Sequence, residues 1–241
     1  MSAYCRCMKP KEGEMDYTTT DIAKMIDHSL LRPNLTVEDI IRGCALARRY
    51  DVMAVCCTPS DVGLCARQLA GSGVRIAAVV GFPHGYTTTA VKVFEAREAI
   101  GAGAHELDMV LHIGRLLSHD LDYVRADITA VVEEAHPRGV LVKVILENCY
   151  LTDELKRAGC RLCEEAGADF VKTSTGFGPG GATIDDLRLM RGSVSSRVQV
   201  KAAGGVRDLD AAVRVREAGA SRFGATATEA IMEECRARMG G

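Results

Sequence analysis

The sequence predicts an α/β chain folded as a single (β/α)8 (TIM) barrel, and three observations carry that expectation. Short apolar, β-rich runs alternate with amphipathic stretches along nearly the whole chain. The phrase Ala-Gly-Ala followed by a strand recurs within 100–104, 165–168 and 217–220, the echo of one repeated βα unit. No GxGxxG follows an early strand, and such a glycine-rich first turn is what the rival fold, an open doubly wound sheet, usually carries. A length of 241 residues fits one such barrel, which typically needs about 250.

Taken in order, residues 1–17 hold Lys9, Lys11, Glu12, Glu14 and Asp16 without an apolar run, and read as a flexible tail ahead of a barrel domain over 18–241. Thr18–Asp21 reads as the start of a short helix. Strands are expected at 24–28, 52–57, 74–80, 105–110, 140–146, 168–173, 197–201 and 220–223. Near-continuous apolar strands suit a parallel sheet covered on both faces. Helices are expected at 36–50, 59–71, 88–102, 119–136, 152–166, 183–191, 207–218 and 226–238. Thr36, Thr152 and Thr183 each stand before acidic first turns, as N-caps do. Gly71, Gly103, Gly167 and Gly219 stand where helices end and strands begin.

Composition narrows the function classes. A net charge of −2 gives no general attraction to nucleic acid or to an anionic membrane surface. No run reaches the roughly 18 apolar residues of a membrane span, and residues 1–20 lack the apolar core of a secretion signal. The ten cysteines are scattered through apolar stretches and read as free thiols packed in a reducing, cytoplasmic setting. The six histidines form no HxxxH or HExxH grouping, so no metal is expected. The Cys160-x-x-Cys163 spacing falls within a helical stretch with no second pair, leaving a redox motif and ordinary packing as its two readings.

In a barrel the chemistry collects at the C-terminal ends of the strands. Those ends carry Asp27, Cys56, Asp108, Glu147, Lys172 and Lys201. Lysine is rarely buried without a reason. If two of them point inward from adjacent strands, a ~4.8 Å strand spacing brings their ammonium groups within roughly 5 Å. Repulsion at that range is about 3 kcal/mol at an effective dielectric near 20, or roughly two pKa units, and burial lowers a lysine further; together these would free one amine for attack on a carbonyl. The alternatives are that each lysine is salt-bridged to Asp108 or Glu147, or points outward. Asp108 reads either as a proton relay beside the lysines or as a structural ion pair. Cys56 reads either as a pocket residue or as core.

Glycine-rich segments follow the last three strands: Thr173 to Gly181, Gly204-Gly205, and Gly224-Ala-Thr226-Ala-Thr228. Glycine lets backbone N–H groups approach an anion closely, and a helix N-terminus favours negative charge. These loops read either as a phosphate site, with Gly176, Gly204, Gly205, Gly224 and Thr226 as its candidates, or as ordinary βα turns.

Several long segments resemble the deoxyribose-phosphate aldolase family. They are IDHSLLRP (26–33), VCCTPSDV (55–62), VVGFPHGYTTTAVKVFEA (79–96), ELDMVLHIG (106–114), VKVILENCYLTDEL (142–155), FVKTSTGFGPGGAT (170–183) and VKAAGGVRD (200–208). The resemblance spans about Ile26 to Met232. It implies reversible cleavage of 2-deoxy-D-ribose 5-phosphate to D-glyceraldehyde 3-phosphate and acetaldehyde through a lysine Schiff base. By that matching Lys172 is the nucleophile, Lys201 its tuner and Asp108 the proton relay. Gly204, Gly205 and Gly224 would hold the phosphate, with Asp27 and Cys56 as further pocket candidates. No metal or organic cofactor is implied, the only ligands are small phosphorylated sugars and aldehydes, and a homodimer is the expected assembly. The chain departs from the family pattern at Thr58, His84, Tyr86, His112 and Thr228, and at its Gly-Gly end, where some members carry a tyrosine. Thr228 replaces a glycine and is expected to add bulk near the phosphate. A relative with altered aldehyde or phosphate preference is therefore the alternative, and a non-catalytic barrel the remote one.

Overall fold

The computed structural model describes residues 17–239. Eight parallel strands close into a barrel in strict chain order. They are β1 (Ile26–Leu30), β2 (Ala54–Cys57), β3 (Arg75–Val80), β4 (Glu106–Val110), β5 (Leu141–Ile145), β6 (Phe170–Lys172), β7 (Gln199–Ala202) and β8 (Arg222–Ala225). Each expected strand is present, its ends offset by no more than two residues. The expected tail lies outside the described residues apart from Tyr17, which packs against the core.

The helices follow their expected places: α1 (Thr19–Ala23), α2 (Val37–Arg49), α3 (Val62–Leu69), α4 (Thr89–Gly101), α5 (Ile113–Leu117), α6 (Leu121–Ala135), α7 (Asp153–Glu165), α8 (Ile184–Arg191), α9 (Leu209–Glu217) and α10 (Thr228–Arg238). Helix α5 was not foreseen; five residues are too few to show a period. The caps work as read. Thr36 and Thr183 accept backbone N–H bonds from the third residue of their helices, and Thr152 does so at 3.4 Å. Thr18 caps α1 with Asp21 reaching back, a reciprocal capping box.

Strand periodicity divides the barrel into two environments. Outward residues such as Val55, Ile76, Leu107, Met109, Val142, Val144, Val171, Val200 and Phe223 join the helices in one continuous apolar core. Each large aliphatic side chain buried there contributes roughly 1.5–3 kcal/mol. The inward face is different. A small apolar patch of Leu31, Cys56, Ala77 and Val79 occupies one side. Most of the rest is charged: Asp27, Glu106, Asp108, Lys143, Lys172, Lys201 and Arg222 are all buried, with the Phe170 ring packed against Lys143 and Arg222. An interior of this kind is unlike the usual aliphatic barrel filling.

Cys160 and Cys163 lie on the buried face of α7, both as free thiols. Burial pushes Cys160 up to about 12 and holds Cys163 well above the usual thiol range. Thiols held protonated in this way are poor redox nucleophiles, so the packing reading holds and the redox one does not. Among the described residues no helix is long and apolar enough to cross a membrane.

Candidate active site

The pairing of β6 with β7 sets Lys172 directly opposite Lys201. Both side chains point inward and both donate to Asp108 Oδ2, each at 2.7 Å. Asp108 sits on β4, paired with Lys143 of β5, and its Oδ1 accepts from Lys143 Nζ at 2.8 Å. Glu106 and Arg222 open their strands, so the network runs on toward the base of the barrel. Lys143 bonds Glu106, Arg222 spans Glu106 and Asp27, and Asp27 meets Lys201.

The inward-pointing and salt-bridge readings of the lysines are therefore both true. The arithmetic of two bare ammonium charges needs correction, because a shared carboxylate oxygen sits between them and offsets their repulsion. The charge inventory supplies what pairwise repulsion does not. Four buried cations, Lys143, Lys172, Lys201 and Arg222, face three buried carboxylates, Asp27, Glu106 and Asp108. Lys201, Lys143 and Arg222 each touch at least two carboxylates, whereas Lys172 has Asp108. Lys172, with the fewest carboxylate partners of the four, is the member of the network that opens onto a cleft.

Burial alone would push the Asp108 carboxyl up, but Lys143, Lys172 and Lys201 outweigh it and hold it well below the usual carboxylate range. Burial would likewise strip the proton from Lys201. Asp108 and Asp27 reverse that and raise it, so Lys201 is a fixed positive charge. Asp27 is also held low, with burial opposed by Lys201, Arg222 and Lys143.

The cleft above Lys172, about 270 Å³, is lined by Cys56, Gly176, Gly204, Gly205, Gly224 and Thr226, all expected on sequence grounds. Gly204 and Gly205 adopt left-handed φ of 79° and 100°, and Gly181 packs against the Gly204 backbone so tightly that neither could carry a side chain. Two expectations are corrected. Asp27 does not line the cleft; it is fully buried beneath, its carboxylate bonded to Arg222 and Lys201. Thr228 adds no bulk to the cleft either. As the first residue of α10 it is buried, and its hydroxyl is 2.9 Å from His28 Nδ1 on β1. Cys56 does reach the cleft, with Sγ 3.9 Å from Asp108 Oδ2, and burial pushes its thiol up, with Asp108 adding to the effect.

Several residues escaped sequence reasoning. Lys143 had a signal, as an isolated charge inside the apolar run 140–146. Glu106 and Arg222 had less, since charges that open a strand usually face solvent. Arg32, Arg207 and Phe177 also line the cleft, but loop residues carry no period by which to place them.

A closed parallel barrel with a lysine-bearing cleft at the C-terminal ends of its strands defines a barrel enzyme with its active site at the usual face. Comparison with known proteins narrows the class. A family profile described as DeoC/LacD family aldolase matches residues 15–233. The chain is 52% identical over 225 residues to the deoxyribose-phosphate aldolase of Rhodopirellula baltica, covering 93% of each chain. It is 53% identical over 218 residues to that of Thermococcus gammatolerans, covering 90% of this chain and 97% of the relative. Among solved structures, an aldolase designated QR15 superposes with a TM-score of 0.87 at 38% identity, covering 91% of this chain and 97% of the other. The deoxyribose phosphate aldolase of Aeropyrum pernix, described as a unique tetramer, gives 0.81 at 32% identity over 90% of this chain and 91% of its own. The chain belongs to the DeoC/LacD aldolase family and is an aldolase, a lyase acting on carbon–carbon bonds.

Proposed function

We propose that the enzyme reversibly cleaves 2-deoxy-D-ribose 5-phosphate to D-glyceraldehyde 3-phosphate and acetaldehyde through an imine on Lys172. The observation that carries this reading is the Lys172 amine, open to the cleft and sharing one oxygen of Asp108 with Lys201. The neutral amine attacks the aldehyde carbon of the open-chain sugar, and loss of water gives the protonated imine. The 3-hydroxyl gives up its proton, the bond between carbons 2 and 3 breaks, and its electron pair moves to the imine nitrogen as an enamine. D-Glyceraldehyde 3-phosphate leaves, the enamine is protonated on carbon 2, and hydrolysis releases acetaldehyde.

Lys201 supplies the fixed charge that favours a neutral amine beside it. Asp108, held ionised by three ammonium groups, is a weak base. The role that fits it is to hand protons from Lys172 to water rather than to keep them. The phosphate is bound by backbone N–H groups of Gly176, Gly204, Gly205 and Gly224 together with the Thr226 hydroxyl, and Arg207 at the rim adds charge. Cys56 forms part of the wall at the aldehyde end. The iminium is itself the electron sink, so the scheme includes no metal and no organic cofactor. We assign the enzyme to the cytoplasm and its assembly to a homodimer; light scattering distinguishes a dimer from a monomer or from the tetramer described for the Aeropyrum pernix protein.

Borohydride trapping with acetaldehyde tests the central step. A stable two-carbon adduct on Lys172, absent in Lys172→Ala, is the expected result. An adduct on another lysine, or full activity in Lys172→Ala, would overturn it. Comparing deoxyribose 5-phosphate with deoxyribose tests the phosphate site, since equal kcat/KM values would mean that the glycine loops grip nothing.

A further inference from the structure

One buried carboxylate has no part in the scheme above. Glu147 follows β5, is 2% exposed, and holds a left-handed backbone (φ 56°, ψ 64°) that non-glycine residues rarely adopt. Such strain persists where surrounding contacts over-determine it. Here the contacts lead to the loop after β6. The Glu147 carboxylate accepts the Thr175 hydroxyl, and it accepts the Thr175 N–H across both oxygens at 3.2 and 3.3 Å. The same Thr175 oxygen then accepts the Phe177 N–H at 3.0 Å. A carboxylate accepting from both a hydroxyl and an amide is a strong, charge-assisted anchor. It also fills the space beside the loop: a Cβ on Gly178 would lie 3.2 Å from the Glu147 carboxyl carbon and 3.0 Å from Cys149 Sγ.

The nucleophile on the same loop is held by other means. Thr173 N–H donates to the Lys201 carbonyl at 3.1 Å, and the Thr173 hydroxyl oxygen accepts the Ala203 N–H at 3.0 Å. Lys172 and Thr173 are therefore held by backbone bonds on both sides, to β7 and, through their carbonyls accepting the Leu146 and Asn148 N–H at 3.0 and 2.9 Å, to the end of β5, whereas Thr175, Gly176 and Phe177, all lining the cleft, are clasped through the Glu147 side chain. We infer that Glu147 is a positioning residue that fixes the Thr175–Phe177 segment for the phosphorylated part of the substrate, without acting on imine formation at Lys172. The substrate side of this inference rests on the reading proposed above.

Glu147→Ala is expected to raise KM for deoxyribose 5-phosphate by about tenfold or more with kcat within about threefold, while borohydride trapping of acetaldehyde on Lys172 proceeds at the wild-type rate. Glu147→Gln, which keeps one carbonyl acceptor, is expected to recover most of the KM. Independently of any substrate, hydrogen exchange at the Thr175 and Phe177 amides is expected to quicken by about tenfold in Glu147→Ala while the β6 amides stay protected. Should that variant not fold, Thr175→Val, which removes the hydroxyl from the same clasp, carries the exchange measurement at Phe177. A KM within twofold of wild type, imine trapping that falls in step with KM, or unchanged exchange at 175–177 would each overturn the inference. A wild-type enzyme that leaves deoxyribose 5-phosphate uncleaved would sink the substrate reading instead, and the exchange measurement would still decide the role of Glu147.

Discussion

Lys172 and Lys201 stand opposite each other across β6 and β7 and donate to one and the same oxygen of Asp108, each at 2.7 Å. Their nitrogens are thus within twice that distance of each other, with a negative charge between them. Across the whole interior the buried cations outnumber the buried carboxylates by one, and the part this plays in the proposed chemistry is open to test.

Lys201→Leu leaves three cations for three carboxylates and removes the surplus. Imine formation at neutral pH should slow by about tenfold or more, less than the repulsion of two bare charges would give because Asp108 offsets part of it. Stopped-flow measurement of imine formation at neutral pH checks this, and an unchanged rate would count against the charge inventory.

Gly204→Ala should damage the grip on phosphate and little else. Its Cβ would lie 2.9 Å from Gly181 Cα at a φ of +79°, a clash with backbone that no rotamer relieves. KM for deoxyribose 5-phosphate should rise by roughly ten- to a hundredfold while kcat/KM for deoxyribose stays near wild type. Parallel steady-state kinetics on the two sugars provides the comparison.

Thr228→Gly restores the glycine common in the family, yet it should not tighten phosphate binding, because the threonine points at His28 and away from the cleft. It should lower stability by about 1–3 kcal/mol, since the buried His28 Nδ1 loses its partner. Urea denaturation and KM, measured on one preparation, separate the two effects.

Acid stability should show the same histidine. Burial pushes the His28 imidazole from 6.5 down to about 4. The unfolded chain therefore binds a proton first, and the folded state loses stability as pH falls from about 6.5 towards 4, by up to roughly 3 kcal/mol. The depressed carboxylates Asp27, Glu106 and Asp108 act further down: their contribution is complete above about 4 and is lost only in stronger acid. Denaturation midpoints at pH 7 and pH 5 should differ in the wild type and converge in His28→Gln.

The barrel was legible because its signals are local. An apolar run, an N-cap threonine and a terminal glycine each declare themselves within a few residues, and eight repeats of one unit leave little choice of architecture. Lys172, Lys201 and Asp108 were legible for a related reason: polar residues inside apolar strands demand an explanation. Their joint contact was legible only as one of several alternatives, because it depends on three strands meeting across the barrel. The same limit hid the partners of Lys143, Glu106 and Arg222. It also misplaced Asp27, whose side chain points into the ion network and not into the cleft, and Thr228, whose hydroxyl answers to a residue two hundred positions earlier.

Thr173 is held by backbone partners on β7 and after β5, whereas Thr175, two residues on, is held by the Glu147 side chain. Changes to one half need not be transmitted to the other. A lineage, or a protein engineer, can reshape the Gly176–Gly181 half to admit longer or uncharged aldehydes while the half bearing the nucleophile stays in register. In that sense, reactivity and substrate range are separately heritable, although they share one stretch of ten residues.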